Sequence, residues 1–595
     1  MKMLFNTSRK LASRSVLKIS SLLFLSLISC ALVGGELAEP KRYDLLLAGG
    51  SLKTCSSMST KNCRHSDFDS DDKHSILYQI TPEAGERFRS IAKQNPENVD
   101  EFSKVYAALM KAYARETQIA TTRSEFFEQL ETLGLTQREI RALSDRVYFS
   151  LLDTHEYAQQ NSLGLRKQER AEVLLSANEA SIEIYQTFVD QATLRVTNSD
   201  KPRIAVVTAS SRDAFESADF YLSALKSLGA EVVWLPIDSS YQYARWLEGE
   251  GVSGCASLAS IRAKHNSFDR ARVYPERTKL QRLYCEKPAL LHDLLKNVQG
   301  VFFNGGDQSR TIAALRTPTG AESEELRIIR ERMQQHHLIV GGTSAGTAVQ
   351  AGGFATGRPV PMIANGTSKS AMSRGAFAYS APSERCVGQC ENALERDDLT
   401  FNPNGGTGLF SIGLLDTHFS ERDREGRLIV LTSATEQQMA FGVDETTAML
   451  VSVDEKQAYF RVVGENGVFV VDRASAQSQL IQSIEEGSLV RSYAAQSHYW
   501  TGDMRAIFDF DTQQWTFSSG AKPLTSRAHF NALQKGLWRD AVRVKCGSQT
   551  PIQYQQDNYT VIMQANESTQ FFRQQTTGKR HCGYFALPFV ITSGQ

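Results

Sequence analysis

A chain of 595 residues is longer than one hydrophobic core usually organises, so a principal domain with substantial additions is expected. Hydrophobic residues make up 41% of the sequence, and 66 basic side chains balance 66 acidic ones. That balance is globular and leaves no basic footprint for nucleic acid, which is therefore not among the expected partners.

At the start of the chain, Lys2, Arg9, Arg14 and Lys18 precede an apolar run from Ser21 to Ser29, and no acid occurs before Glu36. This pattern predicts a secretory signal peptide over residues 1–30 and an exported protein: periplasmic, at the outer membrane, or secreted. A membrane-spanning helix needs about 20 apolar residues, which the run does not reach. It ends in Leu27, Ile28, Ser29 and Cys30, which resemble the lipobox of bacterial lipoproteins and imply a lipid anchor at Cys30. The other reading is cleavage near Ala38 and a soluble product.

Setting Cys30 aside leaves eight cysteines in sequence-local pairs: Cys55 with Cys63, Cys255 with Cys285, Cys386 with Cys390, and Cys546 with Cys582. An even set suits an oxidising compartment, and proximity suggests these four disulfides. A zinc site is not expected, because neither His65 near Cys63 nor His581 beside Cys582 belongs to a paired Cys/His spacing.

The run from Tyr43 to Gly50 is apolar and stopped by two glycines, which reads as a buried strand turning sharply at its carboxyl end. The next comparable strand, Arg203 to Ala209, arrives roughly 150 residues later, far beyond an ordinary connection. Between them, residues 99–117, 123–133, 136–152 and 166–196 carry apolar residues at three- and four-residue spacing, which predicts a helical insertion over 55–199. In the last of these segments Ala171, Leu174, Ile182, Tyr185 and Phe188 would share one face, interrupted by Asn178.

From residue 203 strands and helices alternate: strand 203–208, helix 213–228, strand 231–235, strand 299–303, helix 320–335, strand 337–341. That order predicts a doubly wound, mostly parallel α/β sheet. Residues 242–291 read as a lid or surface excursion. Strands follow at 449–454, 458–463 and 468–472, so the catalytic domain is placed at 41–54 and 200–512. Residues 513–595 are left as a small C-terminal extension containing β structure.

The strongest local signal is the strand beginning at His337 followed by Gly342, Thr343, Ser344, Ala345 and Gly346. This is G-x-S-x-G between a strand and a helix, a nucleophile elbow: the glycines allow a tight turn, Ser344 stands exposed, and the Ala345 amide at the helix start can face a developing oxyanion. A serine hydroxyl needs a base that is itself oriented by a third group. Among eleven histidines His418 stands out, after an apolar stretch and amid dense charge. Glu445, Asp444 and Asp416 all remain candidates for the third member. The order serine, histidine, acid differs from that of α/β-hydrolases.

Four segments taken together resemble the cyanophycinase family of serine peptidases: Phe303 to Gln308 (FNGGDQ), Gly341 to Gly346 (GGTSAG), Asp416 to Arg422 (DTHFSER) continuing to Leu428, and Gly442 to Ala448 (GVDETTA). That family is similar to aspartyl dipeptidases and, in fold, to class I glutamine amidotransferases. The resemblance implies Ser344 as nucleophile, His418 as base and then acid, and Glu445 as the group orienting the imidazole. It also implies oxyanion donors at Gly306, in the Gly305–Gly306 turn, and at Ala345. Gln308, Asp416, Arg422, Arg424 and Arg427 match substrate-pocket positions. Three departures stand out: Thr417 where glutamine is common, Thr347 where alanine is usual, and Ser51-Leu52-Lys53 in place of an acidic, glycine-rich loop.

The implied activity is hydrolysis of β-aspartyl peptide bonds without a metal or organic cofactor. The substrate would be cyanophycin, a polyaspartate carrying arginine on its side chains, cut to β-aspartyl-arginine. The alternatives are a dipeptidase of short isoaspartyl peptides and a noncatalytic lipoprotein that binds a partner at the surface. A homodimer is a further expectation.

Overall fold

A computed structural model describes residues 40–113, 119–197, 201–482, 489–519, 523–528, 535–576 and 579–593. The expected signal segment, Cys30, Ala38 and residues 114–117 of the first expected insert helix lie outside the described residues.

The principal sheet is built on β1 (Leu45–Ala48), β2 (Arg203–Val207), β3 (Glu231–Leu235), β4 (Gly300–Phe303) and β5 (Ile339–Thr343). These five run parallel in the order β1-β5-β4-β2-β3. Successive side chains alternate between two cores: Leu45, Leu47, Ala205 and Val207 join one, while Leu46, Ala48, Ile204 and Val206 join the other. A parallel sheet buried on both faces needs this unbroken apolar run, and helices cover both sides. The structure is thus mixed α/β with parallel strands at its centre.

Past β5 the chain makes β6 (Leu414–Thr417), β7 (Met439–Val443), β8 (Thr447–Val453), β9 (Gln457–Gly464), β10 (Gly467–Gln482), β11 (Leu489–Thr501), β12 (Arg505–Asp509) and β13 (Gln514–Ser518). It ends with β14 (Ile552–Gln556), β15 (Tyr559–Met563), β16 (Gln570–Thr576) and β17 (Lys579–Ser593). β8 pairs antiparallel with β1, and β9, β12 and β13 extend the principal sheet to nine strands. A second sheet runs β6-β7-β10-β11-β17-β15-β14, with β16 also on β17.

Three expectations need correction. Residues 513–595 are not an appended module: β13 closes the first sheet and β17 pairs along β11 in the second, a long-range pairing with no local sequence signature. Residues 242–291 are not a surface excursion; Ala244, Leu258, Ile261 and Leu291, from a series of short helices, enter the main core. The segment 166–196 is α-helical only as α2 (Glu179–Thr193), because the Asn178 side chain accepts from the Ser181 amide and starts the helix there. Ahead of it Ala171 bridges to Ser56 and Leu174 lies in the short 3-10 turn Val173–Leu175, and α2 packs Ile184, Tyr185 and Phe188 on the principal sheet.

The insertion's own core joins residues from Tyr78 to Leu152. The last helix of that core, α1 (Asp145–His155), is tied to the turn after β2: the fully buried Arg270 meets Asp153 at 3.3 Å, Glu156 at 2.7 Å and Asp213 at 2.5 Å. A charge so placed costs much desolvation unless fully partnered, and Arg270 is. The four cysteine pairs suggested by proximity are all disulfides.

Candidate active site

Four strand ends converge. Ser344 stands between β5 and the short helix α3 (Ala345–Ala348), with φ 56° and ψ −119°, a conformation that strains an L-residue and holds its side chain at the apex of the turn. Gly342 makes the elbow possible, since a Cβ there would lie 2.1 Å from the Gly346 carbonyl oxygen. Thr347, one of the departures noted above, has a role: its hydroxyl donates to the Ala48 and Gly342 carbonyls (2.7 and 2.9 Å), tying the elbow to β1.

His418 follows β6 with φ 48°, and its amide donates to Gly49 O. Its Nε2 lies 2.7 Å from Ser344 Oγ and its Nδ1 lies 2.7 Å from Glu445 Oε1. With Nδ1–H donated to the carboxylate, Nε2 is left to accept the serine proton. Burial pushes the His418 imidazole below its ordinary range, although Glu445 pulls the other way. The hydrogen bond from His418, aided by one from Ser51, holds the Glu445 carboxyl down at about 2. The arrangement is therefore a neutral base between a hydroxyl and a permanent carboxylate.

The loop after β1 forms the floor. Gly50 has φ +109°, and a Cβ on it would stand 2.4 Å from His418 Cε1, so the imidazole occupies the space a side chain would take. Ser51 was visible in the sequence only as a departure; here it supports Glu445. Of the acids left open, Asp444 turns away from the imidazole, accepting from the Ser420 amide and the Tyr499 hydroxyl. Asp416 is also occupied elsewhere.

Beside the serine, the amides of Gly306 and Ala345 make no hydrogen bond among the described residues, whereas the Gly305 amide points to the Tyr221 hydroxyl at 3.4 Å. Gln308 donates to the carbonyls of Ile363 and Ala364 and so braces the wall next to the Gly306 turn. The three arginines differ. Arg427 meets Asp416 at 2.5 and 2.7 Å and donates to Gly366 O. Arg424 donates to Thr417 O (2.6 Å) and Asp416 (3.3 Å), and burial with the neighbouring Arg427 pushes it down to about 9. Asp416, 2% exposed, is thus the hub of an internal ion cluster. Arg422 is exposed, its guanidinium has no hydrogen bond or ion pair among the described residues, and its charge acts on both His418 and Glu445.

Two residues that sequence reasoning missed complete the surroundings. Glu421 Oε2 accepts from the Glu445 amide at 2.9 Å, and Arg539, 118 residues farther on, reaches Glu421 and Asp444 together.

No family model matches this chain. It is similar to a cyanophycinase of Trichormus variabilis, at 30% identity over 192 residues, covering 32% of this chain and 51% of that protein. It is also similar to a cyanophycinase of Synechococcus elongatus, at 32% identity over 178 residues, covering 30% and 43%. The chain spans about half the length of the curated relatives it matches. Among solved structures, a peptidase from an acI-B1 Actinobacterium aligns over 51% of this chain and 88% of its own, at 16% identity and a TM-score of 0.29.

Proposed function

We propose that this protein is an exported serine peptidase that hydrolyses β-aspartyl peptide bonds, with cyanophycin cut to β-aspartyl-arginine as its reaction, on a doubly wound fold like that of class I glutamine amidotransferases. The observation that carries the reading is the continuous hydrogen-bond chain Ser344–His418–Glu445, with both links at 2.7 Å. The partial likeness to cyanophycinases supports the substrate class, and four disulfides support an oxidising location.

In this mechanism Ser344 Oγ bonds to the substrate carbonyl carbon while its proton passes to His418 Nε2, and the oxyanion is received by the amides of Gly306 and Ala345. The carbon–nitrogen bond then breaks as His418 protonates the departing amine. Water, deprotonated by the same imidazole, attacks the ester and frees Ser344. Arg422 is the cation available to a substrate carboxylate at the mouth of the site, where a charge-assisted bond fixes orientation. Asp416, Arg424 and Arg427 act from within, shaping the wall on which Gln308 also bears.

The test is incubation of the purified protein with cyanophycin and, separately, with β-aspartyl dipeptides. Release of β-aspartyl-arginine from the polymer supports the proposal. Cleavage of the dipeptides alone would move the assignment to a scavenging isoaspartyl dipeptidase, and no cleavage of either would refute it.

A further inference from the structure

His418 and Glu445 sit on two turns that lace into each other. Glu421, on the turn after His418, accepts from the Glu445 amide (2.9 Å); Asp444, on the turn that carries Glu445, accepts from the Ser420 amide (2.9 Å). Each turn therefore fixes the other through a carboxylate that is largely withdrawn from solvent. Those two carboxylates also face each other, and alone they would repel.

The group between them comes from the far end of the chain. Helix α4 (Leu537–Val544) places Arg539 so that Nη1 donates to Glu421 Oε1 at 2.6 Å and to Asp444 Oδ2 at 2.7 Å, with the Arg539 side chain only 8% exposed. The helix itself is held firmly. Leu537 N–H donates to Asp423 at 2.7 Å, Trp538 is buried against Phe469 and Phe589, and its indole donates to the Tyr584 hydroxyl. The Cys546–Cys582 disulfide ties the following turn to β17.

We propose that Arg539 is a positioning residue for the Ser344–His418–Glu445 relay: by bridging Glu421 and Asp444 it locks together the two turns that carry the imidazole and the carboxylate, so the C-terminal extension completes the site. This rests on the functional reading given above. It goes beyond the resemblance to cyanophycinases, whose motifs all end before residue 449.

The consequence depends on pH. Glu421 faces Asp444, Arg539, the Asn466 amide and the Glu445 backbone; its own turn carries Arg422, Asp423 and Glu425, and Tyr499 stands behind Asp444. Burial and the Asp444 charge push Glu421 above the ordinary carboxylate range against the pull of Arg539. Without the arginine the carboxyl is neutral at low pH and harmless, but at high pH two buried negative charges confront each other.

The experiment compares wild type, Arg539→Lys, Arg539→Met and the double variant Arg539→Met/Glu421→Gln, after circular dichroism and melting curves establish folding. The readouts are steady-state kinetics on a β-aspartyl peptide and the rate of Ser344 acylation by a fluorophosphonate, both at pH 6 and pH 9. Arg539→Met is expected to lose about a hundredfold in kcat at pH 9, the scale of a misplacement near 1 Å, with KM nearly unchanged and a much smaller loss at pH 6. Adding Glu421→Gln should remove most of the alkaline loss, and Arg539→Lys should fall between. Equal losses at both pH values that Glu421→Gln does not relieve would mark a plain structural lesion and overturn the proposal. So would wild-type kcat and acylation rate at pH 9 in Arg539→Met or, should that variant not fold, in Arg539→Gln, which also removes the charge. A wild type that is labelled at Ser344 but cleaves no β-aspartyl bond refutes the substrate reading, while the acylation rates still judge Arg539; absence of labelling overturns both.

Discussion

Replacing Gly50 by alanine puts one methyl group where the His418 imidazole lies. The added carbon would stand 2.4 Å from His418 Cε1 and 2.5 Å from Nε2. Ordinary carbon contacts begin near 3.5 Å, so the ring must retreat by about 1 Å. Nε2 would then leave the 2.7 Å hydrogen bond to Ser344. A displacement of that size at a reacting group costs about a hundredfold in rate, close to 2.7 kcal/mol of barrier. Alanine at φ +109° adds about 1–3 kcal/mol of backbone strain, which lowers stability whatever the imidazole does. Gly164→Ala separates the two effects, since Gly164 also has positive φ (+72°) and no atom lies within 4 Å of its would-be Cβ. Measured by kcat/KM on a β-aspartyl peptide and by thermal melting, Gly50→Ala should lose activity far beyond any loss of fold, while Gly164→Ala loses only a little stability. A folded Gly50→Ala protein with wild-type kcat/KM would refute the placement of His418 against the β1 turn.

The other outcomes are as definite. Asp416→Asn leaves Arg424 and Arg427 buried without their counter-charge, so urea unfolding should show a loss of about 3–5 kcal/mol; a change in KM at unchanged stability would instead make Asp416 a substrate contact. Arg422→Ala removes a charge with no internal partner and should raise KM for carboxylate-bearing substrates by roughly ten- to hundredfold at unchanged stability, whereas unaltered KM would remove it from the pocket. Because burial lowers the His418 pKa and the base must be neutral, kcat/KM should rise with pH through a midpoint below the ordinary histidine value of about 6.5; a midpoint above that value contradicts the assigned environment.

Much of this site can be read locally. The strand, turn and helix around Ser344 lie within a dozen residues, and the glycines that permit the turn are adjacent to it, so steric reasoning suffices. His418 and Glu445 ask for more, because the imidazole and its carboxylate partner are brought in by β6, β7 and β8, and spacing alone leaves Asp444 and Asp416 as rivals. The structure separates them by geometry: Asp444 faces Ser420, Tyr499 and Arg539, and Asp416 faces two arginines. Arg539 had no signal at all. It is one arginine on a two-turn helix, and what brings it to Glu421 is the pairing of β17 with β11 and the packing of Trp538, neither of which has a local periodicity. The same holds for the short extent of α2, where a single capping asparagine overrides an apolar spacing that otherwise continues upstream.

Treatment with a fluorophosphonate, followed by mass-spectrometric mapping of the modified peptide, bears most directly on the proposal that Ser344 is an activated nucleophile. A single adduct on Ser344 is predicted, absent from Ser344→Ala, strongly slowed in His418→Ala, and accompanied by loss of β-aspartyl hydrolysis. A folded Ser344→Ala protein that still hydrolyses the substrate, or an adduct on another serine with Ser344 untouched, would contradict it.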